Sequence, residues 1–290
     1  MNLGRVGVWS VELRFHSDAG EIAEAAAELE ELGYGALWTP GGVGGDILEA
    51  ITRLLRSTRS VVAASGILNI WKHEPGTVAD GFASIEAESP GRFLLGLGVS
   101  HAPLVDSEDE RIYRRPLAKM RSFLDALDAA TPAVPRERRV LGALGPKSLA
   151  LSSERACGAH PYFVPPQHTR WAREILGDGP LLAPELAVLL ETDPATARAT
   201  ARAYMESYLR LPNYVNAILR HGFDENDLRD GGSERLVDAI VAWGTEADIA
   251  RRVAQLHALG ADHVCIQVLG APAGGLPTEQ WRRLAPALVG

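Results

Sequence analysis

The stretch most able to do chemistry is Gly142-Ala143-Leu144-Gly145-Pro146-Lys147-Ser148, which ends an apolar run and opens a helical one. Proline suits the first helical position. The amides of Gly145, Lys147 and Ser148 can then face one anion, helped by the helix dipole, and Lys147 can add a charge. The same pattern also describes an ordinary capped turn, and spacing alone does not separate the two. A second stretch, Ser65-Gly66-Ile67-Leu68-Asn69-Ile70-Trp71, sets an asparagine in an apolar context, where it needs hydrogen-bond partners. The edge of an isoalloxazine-like ring would supply them; so would a local cap or turn. His73 and His101 each follow a strand-like run and could exchange a proton near neutral pH. Trp9, Trp38 and Trp71 fall at or near the ends of such runs, where their rings could line a flavin-type cavity or simply pack.

Other patterns fail on inspection. Gly96-Leu97-Gly98 follows a strand-like run, but the third glycine of a dinucleotide fingerprint would fall at His101, where no helix is expected to open. A small strand end still lets a ligand approach the backbone. Gly41-Gly42-Val43-Gly44-Gly45 lacks the following lysine and hydroxyl residue of a phosphate loop, and Asp46 would repel phosphate, so it reads as a mobile loop over a mouth. His160 and His168 are too far apart for helical ligand spacing and no His-Glu-x-x-His occurs, so no metal site is expected. Neither a Gly-x-Ser-x-Gly elbow nor a Cys/His nucleophile pair is present.

These residues must be positioned by alternating short apolar runs and amphipathic helices. Gly4 to Ser10 reads as a strand; Asp18 then caps a helix, with Glu21 completing a capping box, and Ile22, Ala25, Ala26, Leu29 and Leu32 follow at helical spacing. Gly33 sits where a left-handed terminal residue belongs, and Ala36-Leu37-Trp38 is the next strand. Further strands are expected at 60–68, 93–97 and 263–269, with weaker ones at 139–143, 160–164 and 182–190. Eight strand-and-helix units in 290 residues favour an α/β fold of the (β/α)8 TIM-barrel type, whose usual size is about 250 residues. The open doubly wound sheet is the competitor. No linker or composition break divides the chain, so residues 1–290 read as one domain. Val99 to Pro116, after the fourth strand, and Asp193 to Asp230, between the seventh and eighth, exceed a minimal barrel and read as insertions placed to cover an active site.

Composition narrows the class. Apolar residues make up 46% and charged residues 23%, which suits a packed globular domain. The net charge of −8 and the lack of a basic run argue against nucleic acid as a partner, while local backbone amides can still bind an anion. No apolar stretch reaches the about 18 residues of a membrane span. With two distant cysteines, Cys157 and Cys265, and no signal-peptide pattern at the start, the expected setting is soluble and cytoplasmic.

At this point the residues carry a resemblance. Glu30-Glu31-Leu32-Gly33-Tyr34-Gly35-Ala36-Leu37-Trp38 resembles the first helix and second strand of the luciferase-like monooxygenase superfamily. Ser65 to Trp71 and Ser89 to Gly98 are similar to its third and fourth strands. Leu211 to Asn216, Asp238 to Gly244 and Gly260 to Val268 resemble a subfamily of oxidoreductases dependent on the deazaflavin coenzyme F420. The resemblance covers nearly the whole chain. It implies a bacterial luciferase-like barrel, commonly a homodimer, with the cofactor at the C-terminal mouth and a small-molecule substrate. It also implies a non-proline cis peptide at Ser65-Gly66, and a phosphate contact at Ala143-Leu144-Gly145-Pro146. With the readings above, the candidate cofactor-binding residues are Ser65, Gly66, Asn69, Trp38, Gly98, Ala143, Leu144, Gly145 and Lys147, and the candidate catalytic residues are His101 and then His73. The sugar-phosphate dehydrogenase branch has an Asp-His pair where this chain has Thr39-Pro40-Gly41-Gly42, and a glutamate where it has His101. Neither that branch's proton relay nor its glucose 6-phosphate substrate is carried over. The resulting expectation is hydride transfer between coenzyme F420 and a small organic molecule. Two rivals are an FMN-dependent monooxygenase and a non-catalytic deazaflavin-binding paralogue.

Overall fold

A computed structural model gives the fold and describes residues 1–42, 44–106, 112–271 and 274–290. Eleven short strands form one parallel sheet: β1 (Val6–Trp9), β2 (Ala36–Thr39), β3 (Val62–Ser65), β4 (Leu68–Asn69), β5 (Phe93–Gly98), β6 (Arg139–Leu141), β7 (Gly158–Ala159), β8 (Leu181–Leu182), β9 (Glu185–Leu189), β10 (Val241–Trp243) and β11 (Val264–Val268). Their order is β10-β9-β11-β1-β2-β3-β5-β6-β7-β8, with β4 beside β5. Only Ala183 and Pro184 separate β8 from β9. The Ala183 and Glu185 amides bond to the Ala159 and Pro161 carbonyls on one side, and the Cys265 amide bonds to the Pro184 carbonyl on the other. The sheet therefore curls, and residues 181–189 bond to β7 and its following residues on one side and to β11 on the other.

The strands are apolar on both faces because helices wrap the outside and side chains fill the inside; all six residues of β5, Phe93 to Gly98, are buried. Helix Ala19–Glu31 forms as the spacing predicts, burying Ile22, Ala25, Ala26 and Leu29. Asp18 caps it by accepting from the Gly20 and Glu21 amides, at 2.7 and 3.2 Å, while Glu21 pairs with His16 at 3.3 Å. Gly33 takes φ +95° and turns the chain into β2. At the other end, Thr245 and Asp248 form a reciprocal capping box ahead of helix Glu246–Ala258.

Three details differ from the sequence reading. The expected strand at 160–164 is β7 at 158–159, because the left-handed Phe163, at φ +55°, interrupts extended pairing there. A four-residue helix, Ala102–Val105, does open directly after His101. Residues 241–243 form β10, an added strand against β9. Within the stretch 99–116, residues 107–111 lie outside the described residues. The stretch 193–230 is mainly helical, with helices Pro194–Tyr208 and Pro212–Arg220. With helix Glu234–Ile240 they pack a satellite core of Met205, Ile218, Leu236 and Val237 against Leu189 of β9.

Candidate functional site

A cavity of about 700 Å³ opens where β3, β5, β6 and β7 end. Its framework begins at the turn after β3. The Ser65 hydroxyl donates to the Gly96 carbonyl at 3.0 Å and accepts from the Gly96 amide at 2.8 Å, locking β3 to β5. The chain then turns through a cis peptide between Gly66 and Ile67, one bond later than the resemblance implied. Ile67 leans over Gly98 and Gly142, where added Cβ atoms would stand 1.7 and 2.3 Å from its Cδ1. The small residues at the end of β5 thus first make room for this chain's own side chain, and what remains open faces the cavity.

Eight of the expected residues do line the cavity: Gly66, Asn69, Gly98, His101, Ala143, Leu144, Gly145 and Lys147. Three do not. Trp38 is fully buried below the floor, stacked on His160 with ring centroids 4.4 Å apart and donating to His263 Nε2 at 3.1 Å. Ser65 is spent on the β5 backbone. His73 is outside the lining and its Nδ1 lies 2.9 Å from the Asn69 carbonyl. Asn69 itself accepts from the Trp71 amide at 3.0 Å, so its oxygen shapes the turn.

The floor is set by Trp9, one of the rings the sequence offers as a cavity lining, and by His160, for which the sequence gives only a failed metal spacing. The His160 Nδ1 hydrogen donates to the Ala183 carbonyl at 2.7 Å. Burial pushes this imidazole down to about 4, so it is neutral and Nε2 is left as an acceptor. His160 Nε2 and Trp9 Nε1 are both buried without a partner. Both lie against Gly66, where an added Cβ would stand 2.5 Å from Trp9 Nε1 and 3.4 Å from His160 Nε2, so only glycine fits between them and the turn. A donor and an acceptor therefore converge unpaired at one place, and such groups are costly unless something bonds them.

One wall is aromatic: Tyr162, Tyr208 and Tyr214 line the cavity, and the Tyr162 and Tyr208 hydroxyls are 2.8 Å apart. His101 packs on the Tyr214 ring at 4.5 Å. Burial lowers its pKa to about 4, away from the neutral range expected from its type alone, and its Nδ1 is unpartnered. Helix Pro146–Arg155 begins at the edge of the same cavity. Gly145 donates its amide to the Ser148 hydroxyl at 3.1 Å, which removes it from the expected anion set. The first-turn amides of Lys147 and Ser148 have no intrahelical acceptor, and the exposed Lys147 and Arg220 side chains both belong to the cavity lining, as do Asn213 and Asn216. Arg220 comes from helix Pro212–Arg220, so no local spacing in the sequence pairs it with Lys147.

The glycine loop expected over the mouth is held by hydrogen bonds on both flanks. The buried Arg14 guanidinium donates to the Pro40, Gly44 and Gly45 carbonyls. Asp46 caps the next helix through the Leu48 and Glu49 amides. Gly42 reaches the cavity lining, and Val43 lies outside the described residues. Among the described residues no group of three or more His, Cys, Asp or Glu side chains could hold a metal, and no helix is long and apolar enough to cross a membrane.

Comparison with known proteins adds the family. Over 214 aligned residues the chain is 25% identical to a Mycobacterium tuberculosis protein whose name assigns it, provisionally, to the coenzyme F420-dependent oxidoreductases. The match takes in 62% of this chain and 60% of that relative. Among solved structures, an F420-dependent secondary alcohol dehydrogenase in complex with an F420-acetone adduct superposes with a TM-score of 0.74 at 13% identity, covering 98% of both chains. The oxygenating constituent of 3,6-diketocamphane monooxygenase from Pseudomonas putida, in complex with FMN, gives 0.71 at 12% identity, again covering 98% of both. At those identities the two structures speak to the fold alone. The luciferase-like monooxygenase model matches residues 3–263, and the chain belongs to that family.

Proposed function

We propose that this protein is a single-domain (β/α)8 barrel oxidoreductase that binds coenzyme F420 in the 700 Å³ cavity and exchanges a hydride with a small organic substrate. The observation that carries the reading is the pairing, within one cavity, of an unpartnered donor and acceptor on the floor with an anion-ready rim. A planar heterocycle with a phosphate tail needs both. Trp9 Nε1 and His160 Nε2 would meet the polar edge of the ring. Gly66, Ile67 and Gly98 would form the surface behind it, and the Lys147 and Ser148 amides with Lys147 and Arg220 would take the phosphate. When bound, the deazaflavin supplies hydride chemistry; the protein orients it, excludes water and handles the proton. His101, neutral and packed on Tyr214, would position the substrate by hydrogen bonding. Residues 99–104 and 113–116 of the first excursion and 208–220 of the second, which supply cavity lining, would cover the bound ring.

The relative from Mycobacterium tuberculosis supports coenzyme F420. The FMN complex of a monooxygenase sharing the fold supports the second reading, reduced FMN with oxygen. Parallel fluorescence titrations with coenzyme F420 and FMN decide between them: micromolar or tighter binding of coenzyme F420 with weaker FMN binding is expected, and binding of neither would overturn both. Tight coenzyme F420 binding without turnover over a broad panel of alcohols, carbonyls and enones would instead identify a non-catalytic binding paralogue.

A further inference from the structure

Behind the aromatic wall lies a carboxyl group that the cavity lining does not explain. Glu185, the first residue of β9, is 4% exposed. One oxygen, Oε2, accepts from the Phe163 amide at 3.2 Å, and Oε1 has no hydrogen-bond partner. Among the described residues no salt bridge reaches it; the Phe163 amide and Tyr204 act on it, and it acts in turn on Tyr162, Tyr204, Tyr208, Tyr214 and Cys265. Burial pushes the carboxyl up to about 8, against the opposing pull of the Phe163 amide and the Tyr204 hydroxyl, so it carries a proton at neutral pH.

Among the described residues the Tyr204 hydroxyl is the one side-chain group whose hydrogen bonding acts on the carboxyl, and a proton carried on the unpartnered Oε1 would complete that link. The hydroxyls beyond it are connected. Tyr204 donates to Tyr162 at 3.2 Å. The Tyr162 hydroxyl sits 2.8 Å from Tyr208 and 2.8 Å from Gln267 Oε1, so its hydrogen can serve either. Tyr162 and Tyr208 line the cavity, whereas Tyr204 and Glu185 stand behind it. We propose that Glu185 is an internal proton store, connected through Tyr204 and Tyr162 to Tyr208, which gives the proton to a group bound in the cavity. The proposal rests on the oxidoreductase reading for its use. In reduction of a carbonyl, for which a bound reduced deazaflavin would supply the hydride and its electron pair to carbon, the Tyr208 O–H bond breaks as its proton passes to oxygen. The Tyr162 proton then moves to Tyr208, the Tyr204 proton to Tyr162 and the Glu185 proton to Tyr204. The product is an alcohol, the net loss from the protein is one proton at Glu185, and solvent returns it by the same route once the cavity empties. Glu185 touches no substrate; it acts through the tyrosines.

The test uses the protein alone, so its outcome does not depend on which cofactor binds. Infrared spectra of the wild type at pH 7 should contain a protonated-carboxyl C=O band that disappears in Glu185→Gln and fades as pH rises through about 8. On rapid mixing into D2O, the shift of that band reports how quickly the buried proton exchanges. Tyr162→Phe and Tyr204→Phe should each leave the band in place and slow its shift several-fold, while Tyr214→Phe, outside the connection, should not. If Glu185→Gln does not fold, carbon-13 labelling of glutamate identifies the band in the wild type. Absence of the band at pH 7, or exchange equally rapid in Tyr162→Phe and wild type, would overturn the proposal.

Discussion

Ile67 occupies the space that a side chain on Gly98 would need: a Cβ there would lie 1.7 Å from Ile67 Cδ1 and 2.8 Å from its Cγ1. Gly98→Ala must therefore displace the turn that backs the cavity. We predict a loss of about 1–3 kcal/mol, the usual range for overfilling a packed site, with weaker cofactor binding. In an Ile67→Ala background the two clashing atoms are gone, the Cβ of residue 67 is left at an ordinary 3.6 Å, and the cost should nearly vanish. Urea denaturation of the four variants measures this coupling. Equal costs in both backgrounds would mean that Ile67 is not what excludes a side chain.

Burial lowers His101, His160 and His263 to about 4 and His168 to about 3. An unfolded histidine begins to bind a proton near its model value of 6.5, whereas these folded ones do not. Their contribution to stability is thus complete above pH 6.5 and is lost as pH falls toward 4. Glu185 has the opposite sign. Raised from 4.5 to about 8, it favours the folded state most below pH 4.5, and that contribution is lost as pH rises through 8. Urea midpoints from pH 4.5 to 8.5 should fall on both sides of a maximum, and Glu185→Gln should flatten the alkaline side only. A wild-type profile level from pH 6.5 to 5 would contradict the histidine assignment.

Much of this architecture could be read from the sequence because its signals are local. Asp18 and Thr245 announce helix starts, and the Asp18 helix buries the stripe its spacing predicts. The apolar run at 93–98 is the buried strand it resembles. The site was legible where it lies on strand ends and their turns, as at Gly66, Asn69, Gly98 and residues 143–147. Trp38 misled because an aromatic residue at a strand end gives no sign of which side of the sheet floor its ring takes; here it goes under His160. Arg220, Tyr208 and Tyr214 were missed because they come from helices whose place over the mouth is set by the satellite core, not by any spacing near the strands. His160 was weighed only as a metal ligand; its role follows from the Ala183 carbonyl, 23 residues away, which fixes its tautomer.

Glu30 links the first helix to the strand that carries the site. Its carboxylate accepts from the Arg59 amide at 2.8 Å, the Ser60 amide at 2.6 Å, the Ser60 hydroxyl at 2.8 Å and the Val61 amide at 2.8 Å. Burial would raise its pKa, but these bonds from Ser60, Arg59 and Val61 prevail and hold it at about 2. The stabilisation is present above the unfolded value of 4.5 and is lost as pH falls through about 2. Glu30→Ala should cost about 2 kcal/mol at pH 7, in the range of hydrogen bonds to a charged group. Thermal melts should show the difference shrinking below pH 4; a cost independent of pH would point to packing instead.

The phosphate end gives a salt-dependent prediction. Lys147 and Arg220 are both exposed at the rim, so their attraction for an anion is screened. Lys147→Ala and Arg220→Ala should each weaken coenzyme F420 by about 1 kcal/mol at low salt, as expected for exposed charge pairs. The loss should shrink at high salt. Titrations at two ionic strengths check this, and a loss unaffected by salt would place the phosphate elsewhere.

The floor pair gives the sharpest test of how the ring is held. Trp9 Nε1 has no acceptor in the protein, so Trp9→Phe breaks no internal hydrogen bond. Removing the unpaired donor and losing ring area oppose each other, and stability should change by less than about 1 kcal/mol. Cofactor binding has no such compensation. Losing one hydrogen bond to the ring edge should weaken coenzyme F420 by about 1.4 kcal/mol, or tenfold. His160→Phe removes the acceptor as well as the bond to the Ala183 carbonyl, so it should lower both affinity and stability. The contrast matters more than either value: calorimetric titration and thermal melts should separate binding from folding in Trp9→Phe and not in His160→Phe. If Trp9→Phe binds coenzyme F420 as tightly as the wild type, the ring edge does not reach the floor and the proposed orientation is wrong.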